Sequence, residues 1–213
     1  MNDPTPRAPP GARATTPTAS APRNLAGSVR MARDWAAGRN PWIRLPLALW
    51  VAWMFWNHLR DPDYASLIAG LNLGIHELGH IVFSPFGDFL GAAGGTLLQC
   101  IIPLIAMLLF RRQNDWFALS FAIAWLGSNF YAIAPYAADA RARELPLLSI
   151  GSGDPIHDWY FMLSSLHALP HDQLIGSLFR FAGTLCFLAS LASAAWLLAI
   201  MLRSRSTTTA SAS

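Results

Sequence analysis

Three ionisable side chains stand within five residues at His76-Glu77-Leu78-Gly79-His80, an H-E-x-x-H arrangement in a chain with six His and few carboxylates. On a helix, positions i and i+4 share a face, so the two imidazoles can hold one metal ion between them. Glu77 lies one residue round the helix, where its carboxylate can reach a water on that metal. In soluble enzymes this arrangement binds Zn²⁺ and hydrolyses amides: the metal acidifies the water and the Glu takes its proton. The blander reading is a polar contact between helices, His against Glu. The flanks decide against it. Leu71, Leu73, Ile75, Ile81, Val82 and Phe83 are apolar, so the helix is expected in lipid. Each ionisable group there costs about 2.5–3.5 kcal/mol at mid-membrane, and such groups are retained for function.

Two imidazoles do not complete a catalytic zinc site; a third protein ligand is required. His157 and Asp158 are the leading candidates, in that order. They follow the Gly151-Ser152-Gly153 turn and Pro155, a loop able to bend back. One would be the ligand and the other its orienting partner. Asp139 and Asp154 are weaker candidates, and His167 and His171 read as solvated loop residues. Asn72, Asn129 and Asp139 are candidates for the surrounding shell or for stabilising an oxyanion. His58 reads as an interfacial histidine.

The elements that carry these residues are hydrophobic. Of 213 residues, 54% are hydrophobic and 13% charged, and the mean hydropathy is +0.34. That balance fits an all-α, polytopic membrane bundle in contact with the lipid bilayer better than a soluble globule. About five hydrophobic segments are expected: 42–59, the metal helix 66–86, a run near 96–110, 116–138 and 174–202. Gly70 and Gly74 offer a small-xxx-small face for a neighbouring helix. The stretch 87–95 is too Gly-rich for a good helix and could bind an extended substrate strand; residues 87–110 could instead form a re-entrant unit. Cys100 and Cys186 lie in apolar runs and read as core residues.

The domain reading is a disordered Arg/Pro/Ala-rich tail over 1–40, a transmembrane domain over 41–203 and a second disordered tail over 204–213. Within the first tail, 25–38 could form a short amphipathic helix at the membrane surface. The basic residues are all Arg. Their density before the first segment places the N terminus in the cytoplasm. No nucleic-acid-binding motif is present.

The blocks His76–His80, Ser84–Gly87, Gly94–Gln99, Ala138–Ala142 and His157–Trp159 (HELGH, SPFG, GG-x-x-LQ, ADARA, HDW) resemble those of site-2-protease-like (M50-like) intramembrane zinc metallopeptidases, the small bacterial HELGH-containing proteins in particular. The resemblance covers about residues 66–180. It implies a bacterial inner-membrane enzyme that uses Zn²⁺ to cut a membrane-embedded peptide or protein substrate. Well-studied members supply the third ligand from an Asn-Pro…Leu-Asp-Gly segment, which this chain lacks. A zinc-dependent lipid amide or ester hydrolase, and a non-enzymatic metal-binding sensor or transporter, are the alternatives.

Overall fold

The computed structural model describes residues 25–145 and 157–210. Among them every regular element is helical: α1 Leu25–Ala36, α2 Leu45–Arg60, α3 Ala69–Phe83, α4 Asp88–Arg112, α5 Trp116–Ala138, α6 Asp158–Ser165 and α7 Asp172–Ala210. Local chemistry sets the boundaries. Pro46 occupies the first turn of α2, where its missing N–H costs nothing. The Asp115 side chain accepts a hydrogen bond from the Ala118 amide (3.1 Å) and caps α5. Gly87, at φ 103°, turns the chain from α3 into α4 in a region where a side chain would be strained.

Three helical stretches are long and apolar enough to cross a membrane: Asp88–Arg112, Trp116–Ala138 and Leu169–Ser206. The other two expected segments are shorter. α2 has 16 residues and α3 has 15, against the ~20 that a full crossing needs.

Several expectations are corrected. The stretch 87–95 does not break the helix. α4 is continuous for 25 residues through Gly91, Gly94, Gly95 and Pro103, which leaves no extended strand-binding backbone here and gives no support to a re-entrant unit. Each glycine costs a helix about 1 kcal/mol, but these three are buried, and tertiary packing overrides the local preference. A Cβ added at Gly70 or Gly74 would have nothing within 4 Å; the close helix approach is made by Gly79 against Gly94 and Gly95. Helix α1 falls where a short helix was expected over 25–38, inside the stretch otherwise read as a disordered tail, and α7 runs to Ala210, past the expected end at 203. Residues 1–24, 211–213 and the 151–155 turn lie outside the described residues.

The core is the antiparallel pair α5 and α7, with Ser190 hydrogen-bonded to the Ser120 carbonyl (2.6 Å) and the fully buried Phe187 stacked on Phe55 of α2 at 4.9 Å. α1 seals one end, packing Ala32 and Ala36 with Trp116, Leu197 and Met201. α2 starts at this end, with Leu47 and Ala48 against the same cluster, and finishes with His58 beside Ser128 (3.4 Å). It therefore runs parallel to α5. So does α3, from Asn72 bonded to Trp125 (2.7 Å) to His76 beside Tyr136. α4 runs the opposite way, from Gly91 beside His80 through Gln99 beside Asn129 to Arg111 beside Ser28 of α1.

Candidate metal centre

α3 carries His76 and His80 one turn apart, with ring centroids 4.8 Å from each other. The Gly94-Gly95 pair of α4 allows this helix to come close. A Cβ on Gly95 would occupy the space of the His76 imidazole, and one on Gly94 would strike the backbone at Gly79. The double glycine is a seat for the histidine ring.

Each imidazole is held from behind. His76 Nδ1 donates to Oε1 of Gln99 (2.8 Å), and His80 Nδ1 donates to the Gly91 carbonyl (2.8 Å). A carbonyl can only accept, which fixes the proton of His80 on Nδ1. Both Nε2 atoms then face forward, each 3.3 Å from the same atom, Oδ2 of Asp158. The three ligand atoms lie within 4.8 Å of one another. The side chains are mostly covered, at 12%, 27% and 13% exposure for His76, His80 and Asp158.

These donors fit a metal on two grounds. With Nδ1 protonated, each imidazole directs Nε2 at the same carboxylate oxygen, and the repulsion between its lone pair and the carboxylate is relieved only by a proton or a metal ion between them. Also, ligands at ~2.0–2.1 Å in a tetrahedron are separated by about 3.3–3.4 Å, the spacing found for both N–O pairs and longer than an ordinary hydrogen bond. Two imidazole nitrogens and a carboxylate oxygen are a zinc-type donor set. The Asp158 carboxyl is raised by burial, but hydrogen bonds from His76 and His80 outweigh that and bring it down to about 2, so it is ionised and ready to coordinate.

The third member of the group is Asp158 and not the first-ranked His157. At the start of α6, His157 Nδ1 accepts from the Tyr160 amide (3.2 Å) and caps the helix, while its Nε2 donates to Oδ2 of Asp139 (3.3 Å). Both ring nitrogens are thereby used, and the next residue, Asp158, is left facing α3. Asp139 also accepts from the Glu144 and Leu145 amides. The pair Asp139–His157 thus ties the chain after α5 to the start of α6, and it positions Asp158 without facing the imidazoles.

Asn72 and Asn129, expected near an oxyanion, are both engaged elsewhere. Asn72 accepts from the Trp125 indole, and Asn129 donates to the Gln99 carbonyl. Asn129 therefore steadies the segment that holds His76. Glu77 is half-buried, and its carboxylate makes no hydrogen bond among the described residues. It follows His76 directly in α3. His167 and His171 are exposed, and Asp154 lies outside the described residues. His58 is buried rather than interfacial, stacked on Tyr131 at 4.8 Å and edge-on to Tyr64 at 4.9 Å. Cys100 and Cys186 are free thiols, partly buried.

Two residues outside the named candidates join the site. Gln99 orients His76; its signal was the spacing of four from Gly95 within the GG-x-x-LQ block. The Tyr136 hydroxyl lies 3.1 Å from Asp158 Oδ2 and accepts from the Asp158 amide at 3.1 Å. Its signal was a shared helical face with Asn129 and Asp139. Neither a family model, nor a curated protein, nor a solved structure matches this chain.

Proposed function

We propose that this protein is an integral-membrane zinc metallohydrolase, a peptidase of the site-2-protease-like kind, acting on peptide bonds of membrane-embedded segments. The observation that carries the reading is the convergence of two Nε2 lone pairs on one carboxylate oxygen at 3.3 Å, with both Nδ1 atoms anchored behind. His76, His80 and Asp158 would hold the ion. Bound there, zinc would supply Lewis-acid activation of water and of the scissile carbonyl.

The rest is done by the chain. Glu77, with no hydrogen bond to tie it, takes the proton from water and returns it to the leaving amine. Tyr136 holds Asp158 in place, its hydroxyl donating to Oδ2 and accepting from the Asp158 amide. Gln99 and the Gly91 carbonyl keep both imidazoles in the tautomer that presents Nε2. A substrate helix has to unwind locally, because its carbonyls are otherwise bonded within the helix. The bilayer reading draws on the three long apolar helices. A bacterial inner membrane with the N terminus in the cytoplasm follows from the arginine bias and the resemblance.

Glu77→Gln tests this reading. The purified variant should retain stoichiometric zinc, while membrane peptides that accumulate as cleaved products in cells with the wild-type protein should stay intact. A change confined to lipid amides or esters would point to a lipid hydrolase on the same site. A variant indistinguishable from wild type in both profiles would leave a metal-binding sensor, and wild-type protein free of zinc would remove the hydrolase.

A further inference from the structure

The helix directions and the distribution of arginine carry a conclusion about how the bundle sits in a bilayer. α2 and α3 run the same way along α5, one after the other. Leu47 and Ala48 of α2 lie at the first turn of α5, and His58 lies at Ser128. α3 then continues from Asn72 at Trp125 to His76 at Tyr136. Neither helix alone is long enough to cross, but, overlapping near Trp125 and Ser128, they together follow α5 from its first turn to Tyr136. α4 returns, α5 crosses again and α7 returns. The number of passages is even, so α1, the α4–α5 turn and the end of α7 all lie at one end of the bundle.

That end is strongly basic. Every described arginine except Arg60, Arg141, Arg143 and Arg180 is there, opposed by Asp34 and Asp115. Exposed Trp42 (63%) and Ile43 (74%) lie beside them, and Arg39 stacks on Trp35 at 4.4 Å, a composition suited to a membrane–water boundary. The opposite end carries Asp88, Asp139, Glu144 and Asp172 with Arg141 and Arg143, and Arg141 is bonded to Asp172 at 2.8 Å. The centre formed by His76, His80 and Asp158 is close to this second end. From Gly95 it is about 10 Å along α4 to Asp88 and about 26 Å to Arg112, at ~1.5 Å per residue.

We propose that α2 and α3 form one interrupted crossing, that the arginine-rich end docks on the anionic phospholipid headgroups of one leaflet, and that the metal centre opens toward the opposite face. The interruption itself is polar. Arg60, Asp61 and Asp63 are exposed, at the level of Ser128, about 18 Å along α5 from its start. Irregular, charged backbone at that depth is stable only against protein or water. The α2–α3 connection therefore lines a water-filled notch one to two turns below His76, a route by which a hydrolytic site inside a bilayer receives water. This inference rests on the membrane reading but not on zinc, so it can fail or stand independently of the metal.

Single cysteines placed in full-length protein lacking Cys100 and Cys186, and expressed in cells, test it. Asn40, Asn114 and Ser206 should react with an impermeant maleimide from the same side. Phe86 and Ala142 should react from the other side, and Asp63 should react with a small charged thiosulfonate from that second side. Asn114 labelling opposite to Asn40 would mean that α2 and α3 each cross separately and would overturn the arrangement; an inert Asp63 would overturn the notch. For the headgroup contact, the protein in phosphatidylglycerol nanodiscs should melt higher than in phosphatidylcholine ones, and the difference should shrink for Arg112→Gln with Arg203→Gln. Equal melting in both lipids would overturn the docking.

Discussion

The α5–α7 pair and the α3–α4 pair are both antiparallel helix contacts, but they are built to opposite standards. α5 buries residues on most sides, among them Ala122, Ala124, Asn129, Ile133 and Ala137, and α7 meets it with Phe187, Leu197 and Met201. α3 buries only Asn72 and Gly79, and Leu67, Leu71, Leu78 and Ile81 of its surroundings are more than half exposed. It rests on α4 along one narrow line of glycines and is otherwise fastened by polar groups: Asn72 to Trp125, His76 to Gln99, His80 to Gly91. The difference teaches a division of labour. Stability resides in the central pair. The edge helix is specified by the same hydrogen bonds that prepare its imidazoles, so the structure of that edge and its chemistry are one network.

That contrast can be broken from either side. His76→Ala should abolish stoichiometric zinc in metal analysis of the purified protein, because two ligands do not make a closed site, while the helix content measured by circular dichroism stays unchanged. A bundle that unfolds with the loss of His76 would mean that the edge is part of the core. Phe187→Ala should do the converse. Its ring is fully buried against Phe55, His58 and Tyr131. Truncation should cost about 3 kcal/mol in reversible unfolding, the low end for a buried Phe, since the chain unfolded in lipid stays in apolar surroundings. The folded fraction should keep its zinc.

Legibility in the sequence divided along the same line. The all-helical class was readable, and so were α5 and most of α7 as long apolar helices; of α4 only the run near 96–110 was, its first third being read as a break. The His76–His80 pair was readable because a fixed spacing on one helix suffices to bring two side chains together. Asp158 was readable only as half of an adjacent pair. Which of His157 and Asp158 faces α3 depends on His157 being taken as the helix cap and by Asp139, and those contacts span the α5–α6 connection. The glycine-rich start of α4 misled for a related reason. Gly91, Gly94 and Gly95 read as a break when taken locally, and only the approach of α3 shows them to be the seat of a ring. Gln99 has no signature of its own; an amide becomes a histidine's partner by lying across from it.

Gln99 gives a smaller, sharper test. Gln99→Ala should lower zinc affinity about 10–100-fold, the usual loss when the partner of a ligating histidine is removed, measured by competition with a chelator. Gln99→Glu should restore affinity, because a carboxylate also accepts from Nδ1. A Gln99→Ala protein with unchanged affinity would show that the α3–α4 contact orients His76 through packing alone.

The smallest effect is expected where the sequence suggested a helix contact and none exists. Gly70 and Gly74 have open space around them, so Ala at either position meets nothing. Because Ala also favours the helix by up to about 1 kcal/mol over Gly, Gly74→Ala should leave thermal stability unchanged or raise it slightly, with zinc content intact. The corresponding change at Gly95, only across the helix pair, places a methyl in the His76 ring and should lose the metal. Equal responses at the two glycines would mean that α3 has a second partner on its open face, and that its looseness belongs to the isolated chain alone.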